Sequence, residues 1–246
     1  MNYLLVLRYD GSPFHGWQRQ KNAISVQECV ENAIASLFGS CDFVTGCSRT
    51  DAGVHANRFY CNFHHERSIP VANVISGLNH FLPESIAVLD ARIVSENFNS
   101  RFDCVSKEYI YKIYNGAVRD PFLLKKAYHY KYPLDEKLLN ENAGAFIGEH
   151  DFSAFRAVGS DVSTTVRTIF NAGVFRDGDT VVFKVEGNGF LYNMVRIMAG
   201  TLIYISEGKI ESGTVESVIN SCDRLKAGMT LPPDGLYLNK VNYERF

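Results

Sequence analysis

No apolar run in the chain reaches the roughly 20 residues that a membrane-spanning helix requires, so no stretch reads as a transmembrane segment. Met1 leads straight into a strand-like segment, without the charged and then apolar leader of a secreted protein, and the expected location is cytoplasmic with no membrane partner. The six cysteines (Cys29, Cys41, Cys47, Cys61, Cys104, Cys222) contain no CxxC pair, which argues against a disulfide framework or a structural zinc site. A surplus of positive charge is missing as well: 25 Lys and Arg stand against 27 Asp and Glu, a formal charge of −2. That balance argues against a broadly basic coat for nucleic acid. A local basic groove is not excluded, because a partner meets the field of the surface patch and not the net charge. The histidines lack metal-ligand spacing, and His64 and His65 would face opposite sides of a strand, so no metal is assigned.

What the chain does have is aromatic bulk, with 17 Phe and 13 Tyr, and enough length for one large domain or two of about 120 residues each. Tyr3 to Tyr9 reads as a strand that ends in the turn residues Asp10-Gly11-Ser12-Pro13. Trp17, the sole tryptophan, reads as a packing anchor within an irregular polar segment. Ser25 and Glu28 make a capping box, after which Val26, Val30, Ala33, Ile34, Leu37 and Phe38 recur on one helical face until Gly39. Strands follow over Arg58–Phe63 and Ile86–Val94, with a helix over Val71–Phe81 between them.

The second half repeats that outline without any detectable sequence repeat. Strands are expected at Lys107–Tyr114, Thr164–Phe175, Thr180–Val185 and Gly235–Tyr243, the middle two joined as a hairpin around Asp177-Gly178-Asp179. Helices are expected near Glu136–Phe146, over Phe190–Ile205 and over Gly213–Asn220. The expectation is an α+β protein of two similar halves, residues 1–104 and 105–246, each a mainly antiparallel sheet with helices on one face.

Three features could carry chemistry. Gly46-Cys47-Ser48-Arg49-Thr50-Asp51-Ala52-Gly53-Val54-His55-Ala56 has neither helical nor strand periodicity and concentrates an arginine, a hydroxyl, a carboxylate and two glycines. It can be a loop that presents Asp51 and Arg49 to one cavity, or an ordinary polar turn with an Asx-type bond. Tyr109 shares a strand face with Tyr111 and Ile113, and taken alone it can be a plain sheet-face aromatic. Arg196 is the single charge in an apolar helix, where it either extends outward to water or pairs with a carboxylate.

The central loop resembles the signature of the tRNA pseudouridine synthase A family. Further landmarks of that family stand in order: Tyr9-Asp10-Gly11, Phe14 to Gln18, Ser100 to Asp103 leading into Lys107 to Tyr111, Gly148 to Phe155, Val166 to Ile169, Gly187 to Arg196, and Pro232 to Leu238. Ser48 departs from the Gly that many members carry, and Asn193 stands where some carry His and is given no role. The resemblance implies the pseudouridine synthase fold and a homodimer. It implies cofactor-free isomerisation of uridine to pseudouridine at positions 38, 39 and 40 in the anticodon stem–loop of tRNA. It implies Asp51 as nucleophile, Arg196 as its ionic partner, Tyr109 as the aromatic in the uracil pocket and Arg49 as an RNA contact. Two other classes compete with it. A non-catalytic RNA-binding module accounts for the aromatics but gives no reason for Arg49-Thr50-Asp51. A small-molecule hydrolase would need a second carboxylate near Asp51, and none is obvious.

Overall fold

The computed structural model describes residues 1–159 and 162–244. The chain forms two compact units, Met1–Val105 together with the segment from Tyr237 onward, and Ser106–Leu236. Both are α+β, as the sequence leads one to expect.

In the first unit, β1 (Asn2–Tyr9), β2 (Thr45–Gly46), β3 (His55–His64) and β4 (Ile86–Val94) build an antiparallel sheet in the order β4-β1-β3, with β2 laid on β3. Two helices cover it, α1 (Val26–Phe38) and α2 (Val71–Phe81). Helix α1 starts at the Ser25 cap, whose hydroxyl accepts from the Glu28 N–H at 3.2 Å, and Gly39 ends the helix in the left-handed conformation. Its last aromatic, Phe38, meets Tyr3 and Phe63 edge-on at 5.2 and 5.3 Å, which fixes the helix over the Tyr3 face of β1. Tyr3, Phe59 and Phe63 are almost fully buried, each contributing roughly 2–3 kcal/mol of apolar burial. The register of β1 against β4 slips between Val6 and Leu7, and there the Asn79 amide of α2 takes both the N–H and the C=O of Val88.

The opposite face of this sheet is held by a buried polar network. Asn2 donates to the carbonyls of Ser95 and Phe98, Asn62 donates to Asn2, and the Ser100 N–H donates to Asn62. Residues 95–100 are thereby tied down before the chain enters β5 (Cys104–Tyr114).

The second unit has an antiparallel sheet in the order β5-β9-β8-β7, together with β6 (Tyr128–His129) on β5. Here β7 is Gly148–Asp151, β8 Val166–Asp177 and β9 Thr180–Gly187. Helix α3 (Glu136–Ala143), capped by Asp135, lies on β8, where the Asn140 side chain accepts from the Val174 N–H. Helices α4 (Met194–Ser206) and α5 (Val215–Asn220) complete the unit.

The structure differs from the sequence expectation at several elements, among them the two-residue strands β2 and β6, which no pattern announced, and the start of β3 at His55 instead of Arg58. The closing strand β10 (Leu236–Tyr243) was expected in the second half, yet from Tyr237 it groups with the first unit and runs parallel to β3, Tyr237 opposite His55. An apolar strand pattern carries no information about which sheet the strand joins. Helix α4 begins four residues later than its apolar run, because Asn193 is left-handed (φ 60°) and breaks the turn before Met194. Strand β7 was not anticipated, since Gly148-Glu149-His150-Asp151 has no apolar alternation to read. Among the described residues no helix is long and apolar enough to cross a membrane.

Candidate active site

The loop from Gly46 to Ala56 joins two strands that already pair, β2 and β3, with Gly46 opposite Cys61. It is therefore closed on its own sheet, and its interior is fixed point by point. The Cys47 N–H donates to the Tyr60 carbonyl at 2.8 Å. Thr50, buried at 7% exposure, is held twice: its hydroxyl lies 2.8 Å from the Tyr9 hydroxyl, and its carbonyl accepts from the Trp17 N–H at 3.0 Å. Further along, the Gly53 N–H donates to the Phe14 carbonyl at 3.1 Å, and the Val54 N–H closes a turn onto the Asp51 carbonyl at 3.2 Å. His55 is buried, with its Nδ1 3.0 Å from the Gly11 amide nitrogen and 3.1 Å from Asp10 Oδ1, and its ring stacks on Tyr237 at 4.5 Å.

Both glycines of the loop are needed where they stand. A side chain at Gly46 would run into the Trp17 indole, itself stacked on Phe59 at 4.1 Å, and Gly53 has φ 79°. Because Thr50 is pulled inward at hydroxyl and carbonyl, its neighbours are turned outward: Arg49 is exposed and Asp51 half-buried. Tyr60, Phe14 and Trp17 each hydrogen-bond to the backbone of this loop, and Tyr9 to its Thr50 hydroxyl. The stretches Tyr9–Gly11 and Phe14–Trp17 form the cradle of the loop, and Trp17 is the packing anchor its solitary occurrence suggested.

The other two expected residues lie in the second unit. Tyr109 is on β5 opposite Val185, 7% exposed, with its ring edge-on to Phe190 at 5.1 Å. It shares the buried face of β5 with Tyr111 and Ile113. Arg196 is in the first turn of α4 and does not extend freely into water. Its Nε donates to the Leu231 carbonyl at 2.6 Å and its Nη1 to Asn193 Oδ1 at 2.6 Å. Burial pushes the Tyr111 phenol far above its ordinary range, while the nearby Arg196 guanidinium works against that rise. The Tyr111 hydroxyl donates to the Pro232 carbonyl at 2.7 Å, so the segment at Leu231–Pro232 anchors both side chains.

Asn193 carries a role that its sequence position alone does not announce. Its left-handed backbone starts α4 and its amide oxygen holds the guanidinium. The available signal was an Asn just before an apolar helix, three residues ahead of a lone arginine. Among the described residues no group of three or more His, Cys, Asp or Glu side chains could hold a metal ion.

Comparison with known proteins places these features in a family. The model of a tRNA pseudouridine synthase family matches residues 5–103 and 143–244. The tRNA pseudouridine synthase A of Thermoanaerobacter sp. (strain X514) is 42% identical over 242 residues, covering 98% of this chain and 99% of that protein. The protein of the same description from Clostridium kluyveri is 44% identical over 243 residues, with coverage of 98% and 99%. A solved chain from a Cbf5-Nop10-Gar1 complex aligns with 97% of this chain and 48% of its own length, at 12% identity and a TM-score of 0.42, a likeness too slight to build on. On the sequence matches, which run nearly from one end of the chain to the other, the chain belongs to the tRNA pseudouridine synthase A family of isomerases.

Proposed function

We propose that this enzyme isomerises uridine to pseudouridine at positions 38, 39 and 40 in the anticodon stem–loop of tRNA, without a cofactor, using Asp51 as nucleophile. The observation that carries the proposal is the Asp51 loop. Its backbone is anchored on both sides of Asp51, so the carboxylate stands on a support that need not reorganise during reaction.

The chemistry asks for such a group. The N1–C1′ glycosidic bond breaks, the uracil turns within its pocket, and C5 bonds to C1′; the proton lost from C5 is matched by one gained at N1. An ionised carboxylate acts at the electron-poor C1′ as it does in glycoside chemistry. In this proposal Arg196 is the cation that keeps Asp51 ionised. Its hold on the Leu231 carbonyl and Asn193 supports that role, since a guanidinium fixed at Nε and Nη1 has its remaining donors directed instead of free to swing. Tyr109 stacks on the uracil, and its enclosed ring on the buried face of β5 suits a dry pocket. Exposed Arg49, two residues from Asp51, contacts the RNA and helps hold the target nucleotide out of its stack, which the chemistry requires because a base within a helix is out of reach. The working form is a cytoplasmic homodimer.

Carbodiimide labelling of tRNA with primer extension tests the reading. Wild-type protein should give stops at positions 38 to 40 on tRNAs with uridine there, and Asp51→Asn should give none while still binding tRNA. Wild-type turnover by the purified Asn variant would overturn the assignment of the nucleophile.

A further inference from the structure

The helix-free face of the first unit's sheet bears a feature that the proposed chemistry does not use. Strand β1 is buried along its length except at Arg8, and Arg58 is exposed in the middle of the otherwise mostly covered β3. Val6 stands opposite Tyr60 in the β1–β3 register, which then slips between Leu7 and Tyr9, so Arg8 and Arg58 sit at the irregularity and, with Tyr60, open onto one depression. Lys240 of β10 joins them. Arg8, Asn57, Arg58, Tyr60, Asn239 and Lys240 line an open depression of about 580 Å³. A second depression of about 220 Å³ shares Tyr60 and Lys240 and adds Arg92. Neither is lined by a carboxylate.

Four cations along two adjoining depressions are unusual in a chain of net charge −2. Arg92 is partly neutralised by Asp90 at 3.0 Å. Arg58 and Lys240 are exposed and, among the described residues, engaged by no carboxylate. Asn57 is held in place by the hydrogen bond its Nδ2 donates to Asn239 Oδ1 at 2.7 Å, and Arg8 donates weakly to the Asn57 carbonyl at 3.4 Å. Uncompensated cations placed side by side repel one another. The free protein gains nothing from gathering them, whereas a partner with repeated negative charge relieves the repulsion. A single small anion would need one such depression. A row of two with amide and phenol donors between the cations fits a phosphodiester backbone, which offers an anion at each nucleotide.

We propose that this face, centred on Arg58 and Lys240, is a docking site for the sugar–phosphate backbone of the tRNA substrate, apart from the Asp51 loop. The partner named here rests on the proposed tRNA activity; the polyanion chemistry of the site does not. Contacts of this type carry no sequence information, so the face contributes affinity and register, and leaves the chemical step alone.

The test is Arg58→Glu with Lys240→Glu in the full chain, beside Arg58→Gln with Lys240→Gln in case charge reversal harms folding. Binding of a tRNA transcript is measured by fluorescence anisotropy over a range of salt, and pseudouridine formation in parallel. The expected result is affinity for tRNA about tenfold weaker, a salt-dependence slope shallower by roughly 2, a raised KM and an unchanged kcat. Wild-type affinity and slope in folded variants would overturn the proposal, as would a loss of binding that light scattering traced to dissociation of a dimer. If the wild-type protein binds tRNA but makes no pseudouridine, the functional assignment fails, and the same affinity and slope measurements still decide this site.

Discussion

Asn193 offers the sharpest test of how the second unit holds its arginine. Replacing it with Ala removes the amide oxygen that accepts from Arg196 Nη1 at 2.6 Å and leaves a methyl at φ 60°. A hydrogen bond to a charged group is worth roughly 1.5–3 kcal/mol, and the lower end applies because Arg196 is half-exposed. The left-handed backbone adds about 1–2 kcal/mol for Ala, a cost that Asn largely escapes. Asn193→Ala should therefore lose about 3 kcal/mol in urea denaturation. Asn193→Asp keeps both an acceptor and tolerance of the left-handed region, and should stay within about 0.5 kcal/mol of wild type. Asn193→Gly relieves the backbone but not the lost bond, and should fall between the two. Single-turnover pseudouridine formation, measured where every variant is folded, should drop for Ala and Gly and be rescued by Asp, with tRNA affinity unchanged. An Ala variant as stable as wild type, or an Asp variant as damaged as Ala, would refute the claim that this side chain positions the guanidinium.

Much of the fold was readable because local rules and tertiary packing agree there. Ser25 and Gly39 bound α1 where the N-cap and the left-handed stop place it, and Ile86–Val94 alternates because one face of β4 is covered. What was hidden depends on partners distant in sequence. That β10 joins β3 is decided by packing around His55 and Tyr237, and neither residue announces it. The Asp51 loop stood out as a concentration of polar groups without periodicity. The reason for its shape is Thr50, gripped by Tyr9 and Trp17 some 40 and 30 residues earlier, and no local pattern shows such a grip. Arg196 was conspicuous as a lone charge, but its acceptors are an amide three residues back and a carbonyl 35 residues on.

Substituting Arg196 with Leu should slow catalysis and move the acidic limb of the rate–pH profile upward, since Asp51 would lose the cation proposed to keep it ionised; an unmoved limb would dissociate the two residues. Gly46→Val should destabilise the protein by at least about 2 kcal/mol in chemical denaturation, because the indole of Trp17 occupies the space the new side chain needs, and a neutral outcome would mean that the loop can shift bodily. The last expectation concerns alkaline pH. Burial, with Glu31 and Asp42 adding to it, pushes the half-buried Cys41 thiol up to about 11, and burial raises Cys61 and Tyr111 well above their ordinary values. Each raised group stays protonated in the folded chain at pH values where the unfolded chain has released its proton, so the folded state binds more protons and stability falls as pH rises. The contribution of these groups is complete below pH 9, the unfolded value for a thiol, and that of Cys41 is lost between there and about 11. Melting temperature should therefore hold from pH 7 to 9 and decline above it, and Cys41→Ser should flatten the first part of that decline. A melting temperature constant to pH 11 would show that these side chains are not buried in solution as they are in the structure.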